Sequence, residues 1–418
     1  MSFFCRLHLS LFFALRLCYL SHADTSGAIK IDELLQPDYQ GQTIFEDESK
    51  KSWTHTPKCA DSISQNGLVT KYCVFTNDRI LETGFSLITT SKAASQAARN
   101  LNEDSALYFF SESEAQNWYA SNRPYRIENV PGKGKGVIAT RKIKQYETFM
   151  IDQASVIMDL DLEKKLSKAE NARLLKTAVD QLRKPESIRN LSTKRKAGPK
   201  AKGDTDEDTL EEDIMITNAF GTQLESIEVR GLFPVAARIN HDCHPNSFVM
   251  FSPSGLSIGL KAYRDIALGE EISVSYIRMG MNSTQRAESL SRYGFTCTCE
   301  LCSLSASEKA TSDKQRRLIQ QVKPVIASRF REGKYQEAIH IIEDVVELIK
   351  AEALDSMLPD EYVFLARLHM MREDREKAEE YADLALELLD NLGFLGEGGK
   401  EGWGVDELLK AFQNRGSY

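Results

Sequence analysis

Three cysteines within six residues, Cys297-Thr298-Cys299-Glu300-Leu301-Cys302, constrain this chain more than any other feature. Such spacing lets one tight loop aim three thiols at a single point, and zinc takes four soft or borderline ligands in a tetrahedron. The fourth ligand must come from elsewhere. Cys243, His241 and His244 are the candidates, all within Asn240-His241-Asp242-Cys243-His244-Pro245-Asn246. The chain has 418 residues and eight cysteines. It is long enough to bury a core without staples, so crowded cysteines favour a metal over a disulfide framework.

Apolar residues make up 42% of the chain and charged residues 27%, as in ordinary globular proteins. The net charge of -8 argues against direct nucleic-acid binding. Residues 9–15 (LSLFFAL) follow Arg6 and His8, and Ser21-His22-Ala23 offers small residues at a cleavage site. Residues 1–23 therefore read as a secretory signal peptide, although Arg16 interrupts the apolar region. The uncharged run falls far short of the ~18 residues of a transmembrane segment, and no other stretch comes close. Two sequons, at Asn190 and Asn282, are compatible with secretion. The run KRKAGPKAK, by contrast, reads as a nuclear import signal or a solvated loop. The compartment stays open between secretory and nuclear or cytoplasmic.

Residues 24–120 form a region of unassigned role. Strands are expected near 71–77 (KYCVFTN) and 85–90 (FSLITT), and a capped helix after Ser91. Cys59 and Cys73 are close enough to pair. They form a disulfide in an oxidising compartment and are core thiols otherwise. From 124 to 160 the pattern is β-like, and a helix is expected over 161–183. Residues 183–213 begin basic and end acidic, with few apolar side chains, so a disordered insertion is expected. Short strands resume over 213–276, and beyond 310 the chain reads as helical. Ala338 and Ala378 open similar helices 40 positions apart, a weak likeness to tetratricopeptide pairs.

Gly132, Gly134 and Gly136 lie in PGKGKGVIAT, just before an expected strand, where glycine permits close backbone approach to a ligand. Gly269-Glu-Glu-Ile-Ser-Val-Ser-Tyr276 reads as a turn entering a strand. Taken in order, the Asn-His-x-Cys motif, GEEISVSY and CxCxxC resemble the SET-domain protein-lysine methyltransferases, in particular the Smyd-like subgroup, over roughly 124–304.

That resemblance implies an α+β chain. It places a SET β-fold of small sheets over 124–277, a zinc-binding post-SET loop over 290–304 and an all-α, tetratricopeptide-like region over 310–415. It implies S-adenosylmethionine as cofactor and a zinc ion held by Cys243, Cys297, Cys299 and Cys302. The partner is a protein substrate presenting a lysine, histone or non-histone. Gly134, Lys135 and Gly136 would meet the methionine end of the cofactor, Asn240 and His241 its amino and adenine portions. Asn218 would touch it too, and Phe295 would stack on the adenine. Tyr276 would orient the lysine amine, with Tyr293 and Phe220 as aromatic walls suited to a methylated cation. In-line displacement needs a neutral amine in a dry, aligned channel, and desolvation lowers the amine pKa. One departure stands out: Smyd proteins carry a zinc-binding MYND module where this chain has the cysteine-free 183–213 segment. The competing readings are a catalytically inactive SET scaffold that binds partners through its helical tail, and a secreted, zinc-stabilised protein.

Overall fold

The computed structural model describes residues 52–393, except 64–66, 68, 103, 194–209, 225–226 and 253. The signal-like start and the end of the expected helical region lie outside the described residues. Among the described residues thirteen strands run in chain order: β1 (Lys58–Ile63), β2 (Val69–Asn77), β3 (Phe85–Thr89), β4 (Tyr125–Val130), β5 (Gly134–Ala139), β6 (Thr148–Gln153), β7 (Val156–Asp159), β8 (Phe220–Leu224), β9 (Ile227–Leu232), β10 (Asn240–His241), β11 (Ser247–Phe251), β12 (Ser257–Ala262) and β13 (Glu271–Val274). The chain divides into two compact units.

Among the described residues, the first unit takes in 52–121, 151–238 and 251–259. Its six-stranded sheet has the order β1-β2-β3-β7-β9-β8. Half of that sheet comes from the region the sequence left without a role. β2 is apolar and buried along most of its length, as a central strand must be, and pairs antiparallel with β1 and β3. Cys59 stands opposite Cys73 across β1 and β2, and the two form a disulfide. The helix Lys168–Asp180 starts with a capping box between Ser167 and Glu170. It buries Leu174, Leu175, Ala178 and Val179 in the core that also holds Val74, Ile88 and Val156. The short helix Ser91–Ala97 is capped by Thr90, one residue earlier than the sequence suggested.

The expectation of a structureless stretch over 183–213 holds for neither flank. Glu186–Arg189 is helical, Ile188 and Leu191 are fully buried, and the helix Leu210–Asn218 buries Ile214 and Met215. Arg189 pairs with Glu211 at 3.0 Å, tying the two flanks. Ile188 and Leu191, apolar residues among its described positions, are the ones that reach the core; residues 194–209 lie outside the described residues.

Among the described residues, the second unit takes in 122–150, 239–250 and 260–393. Its four-stranded sheet has the order β10-β13-β5-β4, with β10 parallel to β13 and the other pairs antiparallel. Helices Ala306–Gln321, Lys323–Arg331, Tyr335–Ala351, Leu358–Met371 and Arg375–Leu392 follow. Their core contains Ile339, Ile342, Val346, Leu365 and Leu389. Ala338 and Ala378, the repeat-like alanines, are both fully buried, where a small side chain lets helices approach closely. Arg316 and Glu352 form a buried ion pair at 2.7 Å. The helices hold the strand-rich part through Gln320 to the Gly280 carbonyl and Lys261 to the Asn391 carbonyl, both 2.8 Å, and through Asp313, which accepts from the Ser283 amide. The expected α+β class, with small sheets and a helical C-terminal region, is the one found. Among the described residues no helix is long and apolar enough to cross a membrane.

Candidate functional site

Three motifs far apart in sequence become neighbours in the sheet of the second unit. Asn240 and His241 are β10, and lie beside Ser273 and Val274 of β13. Glu271 and Ile272 of β13 lie beside Ile138 and Val137 of β5, which begins at Gly134. Backbone hydrogen bonding thus gathers Asn-His, GEEIS and GKG onto one edge.

At that edge, Asn240 donates its side-chain amide to the Lys135 carbonyl at 3.2 Å and to Glu271 at 2.8 Å. With both amide hydrogens committed, its carbonyl oxygen is left to accept from another donor. Glu271 is held in turn by Lys133 at 2.7 Å. Gly136 has to be glycine: a Cβ there would come within 2.5 Å of Val130 and 2.9 Å of the Asn240 amide. Gly134 sits at φ +78° with open space around it, so the backbone can turn and approach a ligand. Glu271 went unnamed in the sequence reading. The signal available was only a paired glutamate at a strand entry, which marks no partner.

His241 is buried. Its Nδ1 accepts the backbone N–H of Tyr276 at 3.0 Å, which places the ring proton on Nε2, 3.2 Å from the Cys243 sulfur. Burial pushes its pKa down to about 4, so the ring is neutral around pH 7. The Tyr276 hydroxyl donates to the Ile239 carbonyl at 2.6 Å, and burial pushes its phenol above the ordinary tyrosine range. The Tyr276 ring lies 5.1 Å from Tyr293 and 6.5 Å from Phe295, and Phe295 lies 6.2 Å from His241. Phe295 is itself exposed, so one of its faces is free to stack. Arg292 lies 4.8 Å over the Tyr293 ring and donates to its hydroxyl at 2.8 Å, a contact the sequence gave no sign of.

The sulfurs of Cys243, Cys297, Cys299 and Cys302 all lie within 4.8 Å of one another. Cys243 is 3.9 Å from Cys297 and 3.6 Å from Cys302. A tetrahedron with metal–sulfur bonds of about 2.3 Å has edges of about 3.8 Å, so these thiols fit one metal ion. The short helical turn Glu300–Ser303 begins from Cys299 and brings Cys302 back, its amide donating to the Cys299 carbonyl at 3.0 Å. The fourth thiol is Cys243; His241 packs against it, and His244 is exposed and outside the cluster. Hydrogen bonding among the sulfurs raises the Cys243 and Cys297 thiols and lowers Cys302, while Cys299 is drawn down to about 5. By their spacing the four sulfurs could hold one cation.

Asn218 and Phe220 belong to the first unit. Asn218 spends its side-chain amide on the Ser192 and Ile214 carbonyls, at 2.7 and 2.8 Å. Phe220 packs edge-on against Phe233, with centroids 5.7 Å apart.

Residues 134–277 match the family model of the SET domain. The chain is 29% identical over 196 residues to the histone-lysine N-methyltransferase set5 of Schizosaccharomyces pombe, covering 46% of this chain and 55% of that protein. It is 29% identical over 185 residues to human N-lysine methyltransferase SMYD2, covering 40% and 41%. It is 34% identical over 107 residues to human histone-lysine N-methyltransferase SMYD3, covering 24% of each. The chain thus spans about half, or less, of the length of these curated relatives. With its motifs gathered beside four clustered thiols, residues 134–277 carry a SET domain, and the chain is similar there to the Smyd- and Set5-type methyltransferases.

Proposed function

We propose that this protein transfers a methyl group from S-adenosylmethionine to the ε-amine of a lysine in a protein substrate. The observation that carries the reading is the bridge made by His241, which joins Tyr276 on one side and the thiol cluster on the other. S-adenosylmethionine supplies, when bound, an electrophilic methyl group. The open space at Gly134, beside Lys135 and Gly136, gives room for its methionine end, and the free carbonyl oxygen of Asn240 suits its amino group. His241 and Phe295 suit the adenine. Asn218 is assigned to cofactor binding, and Phe220 to the channel wall, by resemblance alone.

The lysine must arrive neutral, because only a free lone pair attacks. Tyr276 donates its proton to Ile239, so its oxygen acts as an acceptor for the amine N–H and aligns the lone pair. The developing positive charge on nitrogen faces that oxygen and the Tyr293 ring. No strong base is needed, since the methylated amine loses its extra proton to water afterwards.

Cys243, Cys297, Cys299 and Cys302 are assigned to one structural zinc ion. It ties the loop carrying Phe295 to the Asn240-His241 strand, so metal binding here is folding energy for the cofactor side of the site. Both histone and other protein lysines remain open as targets. The Cys59–Cys73 disulfide, together with the signal-like start, favours an oxidising compartment.

Incubation of the pure protein with labelled S-adenosylmethionine and a proteome extract tests the reading. Transfer of label to protein lysines is the expected result. A folded protein that binds no cofactor by calorimetry would overturn it and leave an inactive scaffold.

A further inference from the structure

Asn190-Leu191-Ser192 and Asn282-Ser283-Thr284 have the Asn-x-Ser/Thr spacing that accepts an N-linked glycan, and no other asparagine of the chain stands in it. The fold treats the two in opposite ways. Asn190 lies in the turn that closes the short helix Glu186–Arg189. Ile188, Leu191 and Thr193 around it are buried, while Asn190 and Ser192 are exposed. Buried anchors on both sides turn the intervening side chain outward. The backbone is pinned as well: the Asn190 carbonyl accepts from Arg238 at 2.9 Å, and the Ser192 carbonyl from Asn218 at 2.7 Å. The Asn190 side chain makes no hydrogen bond to another described residue. Asn282, by contrast, is half-buried and already employed. Its side chain accepts the Gln285 amide at 3.0 Å as the N-cap of the helix Ser283–Ser291, and the Gln285 side chain accepts the Asn282 amide at 3.0 Å. Ser283 gives its amide to Asp313 at 2.7 Å, and Gln320 reaches Gln285 at 3.3 Å, so the helix Ala306–Gln321 lies against this end. A bulky, hydrated glycan fits the first place and not the second.

We propose that Asn190 is an N-glycosylation site of this protein, and that Asn282 stays bare in the folded chain. The inference rests on the reading, carried by the Cys59–Cys73 disulfide, that the chain matures in an oxidising compartment. The donor is an oligosaccharide on a polyisoprenyl pyrophosphate. The Asn190 Nδ2 bonds to the anomeric carbon of the first sugar and gives up one proton. The bond from that carbon to the pyrophosphate oxygen breaks, and the pyrophosphate leaves with the electron pair. The Ser192 hydroxyl, two residues on, completes the motif that the transfer reads. Transfer meets the chain before folding is complete, when both motifs are open. The fold then decides: a sugar on Asn190 projects into solvent, whereas one on Asn282 must disturb a helix cap and the helix packed beside it.

The test uses the full chain, purified folded from its own source. Peptide N-glycosidase in heavy-oxygen water turns a glycosylated asparagine into labelled aspartate, read by mass spectrometry of the peptides. Asn190 should carry the label and Asn282 should not. Alkylation before reduction reports Cys59 and Cys73 in the same sample. Free thiols there would remove the compartment reading, and the glycan with it. A formed disulfide with an unlabelled Asn190, or label at Asn282, would overturn the proposal alone. In chains expressed through a secretory route, Asn190→Gln and Ser192→Ala should each lose the whole glycosidase-sensitive mobility shift, and Asn282→Gln none of it. Should Asn190→Gln fail to fold, Ser192→Ala, which keeps the asparagine, still decides; a shift that survives Ser192→Ala would overturn the assignment.

Discussion

The imidazole of His241 accepts the backbone N–H of Tyr276 at 3.0 Å. That bond fixes the ring's tautomer and points its proton at Cys243, so one side chain links Tyr276, two residues beyond β13, to the thiol cluster. Removing it with His241→Ala leaves the Tyr276 amide without its acceptor, a cost of about 1–3 kcal/mol for a buried donor. It also strips a hydrogen bond from a sulfur of the proposed metal site, a change that typically weakens metal binding about 10- to 100-fold. Chelator competition and thermal unfolding of the same variant should register both losses; a variant with wild-type zinc affinity would show that the contact with Cys243 carries no weight.

Tyr276→Phe should abolish methyl transfer while S-adenosylmethionine binding stays within a few-fold. An interaction made only in the transition state lowers turnover without weakening ground-state binding. The expected loss is on the order of 100-fold in turnover. Asn240→Ala should behave differently, losing the cofactor itself. Single-turnover rates paired with calorimetry separate the two, and wild-type turnover in Tyr276→Phe would reduce Tyr276 to a core residue.

Asp152 is buried and accepts the amides of Val235 and Ala236 at 2.7 and 2.8 Å, which holds the backbone entering the 3-10 turn Ala236–Arg238. Burial nonetheless raises its pKa from 3.8 to about 6. The folded chain therefore keeps this proton at pH values where the unfolded chain has released it. Its contribution to stability is complete below pH ~4 and is lost as the pH rises to about 6, by about 3 kcal/mol in all. Asp152→Asn has no such titration. Denaturant unfolding at pH 4 and 6.5 should find the wild type losing about that much relative to Asp152→Asn; parallel pH profiles would refute it.

Breaking the Arg316–Glu352 pair exposes how much the helical region depends on it. Both groups are buried, so Glu352→Gln leaves a guanidinium without its counter-charge and should cost about 3–5 kcal/mol. The Ser312 hydroxyl, which also donates to Glu352 at 2.7 Å, loses a charged acceptor as well. Thermal unfolding of the full chain measures this directly, and a shift of under a degree or two would mean the pair is solvated in solution.

The Cys59–Cys73 bond closes a loop with a sequence separation of 14 in an edge hairpin. Reduction, or Cys59→Ser, should lower stability by about 3 kcal/mol through the freedom returned to the unfolded chain. Mass spectrometry after alkylation should find these two cysteines protected under native, oxidising conditions. Free thiols at both positions in protein from its own source would rule the bond out, leaving Cys73 a core thiol and Cys59 a surface one.

What the sequence determined by itself was local. Three thiols in one loop, glycines before a strand, the strands at Val69–Asn77 and Phe85–Thr89 and the helical repeat at Ala338 and Ala378 all follow from periodicity, capping and spacing within a few residues. The order of the motifs carried the family resemblance, because chemistry of this kind needs those residue types together. Only the tertiary structure decided which of Cys243, His241 and His244 completes the thiol set, since that choice depends on where β10 lies against β13, some thirty residues on. The same holds for Glu271, which reaches Asn240 across a sheet register, and for the N-terminal strands, which join a sheet with β7 and β9. The burial of Arg286 on the helix Ser283–Ser291 comes from how that helix packs, a long-range outcome of side-chain volume and loop closure that no local pattern encodes.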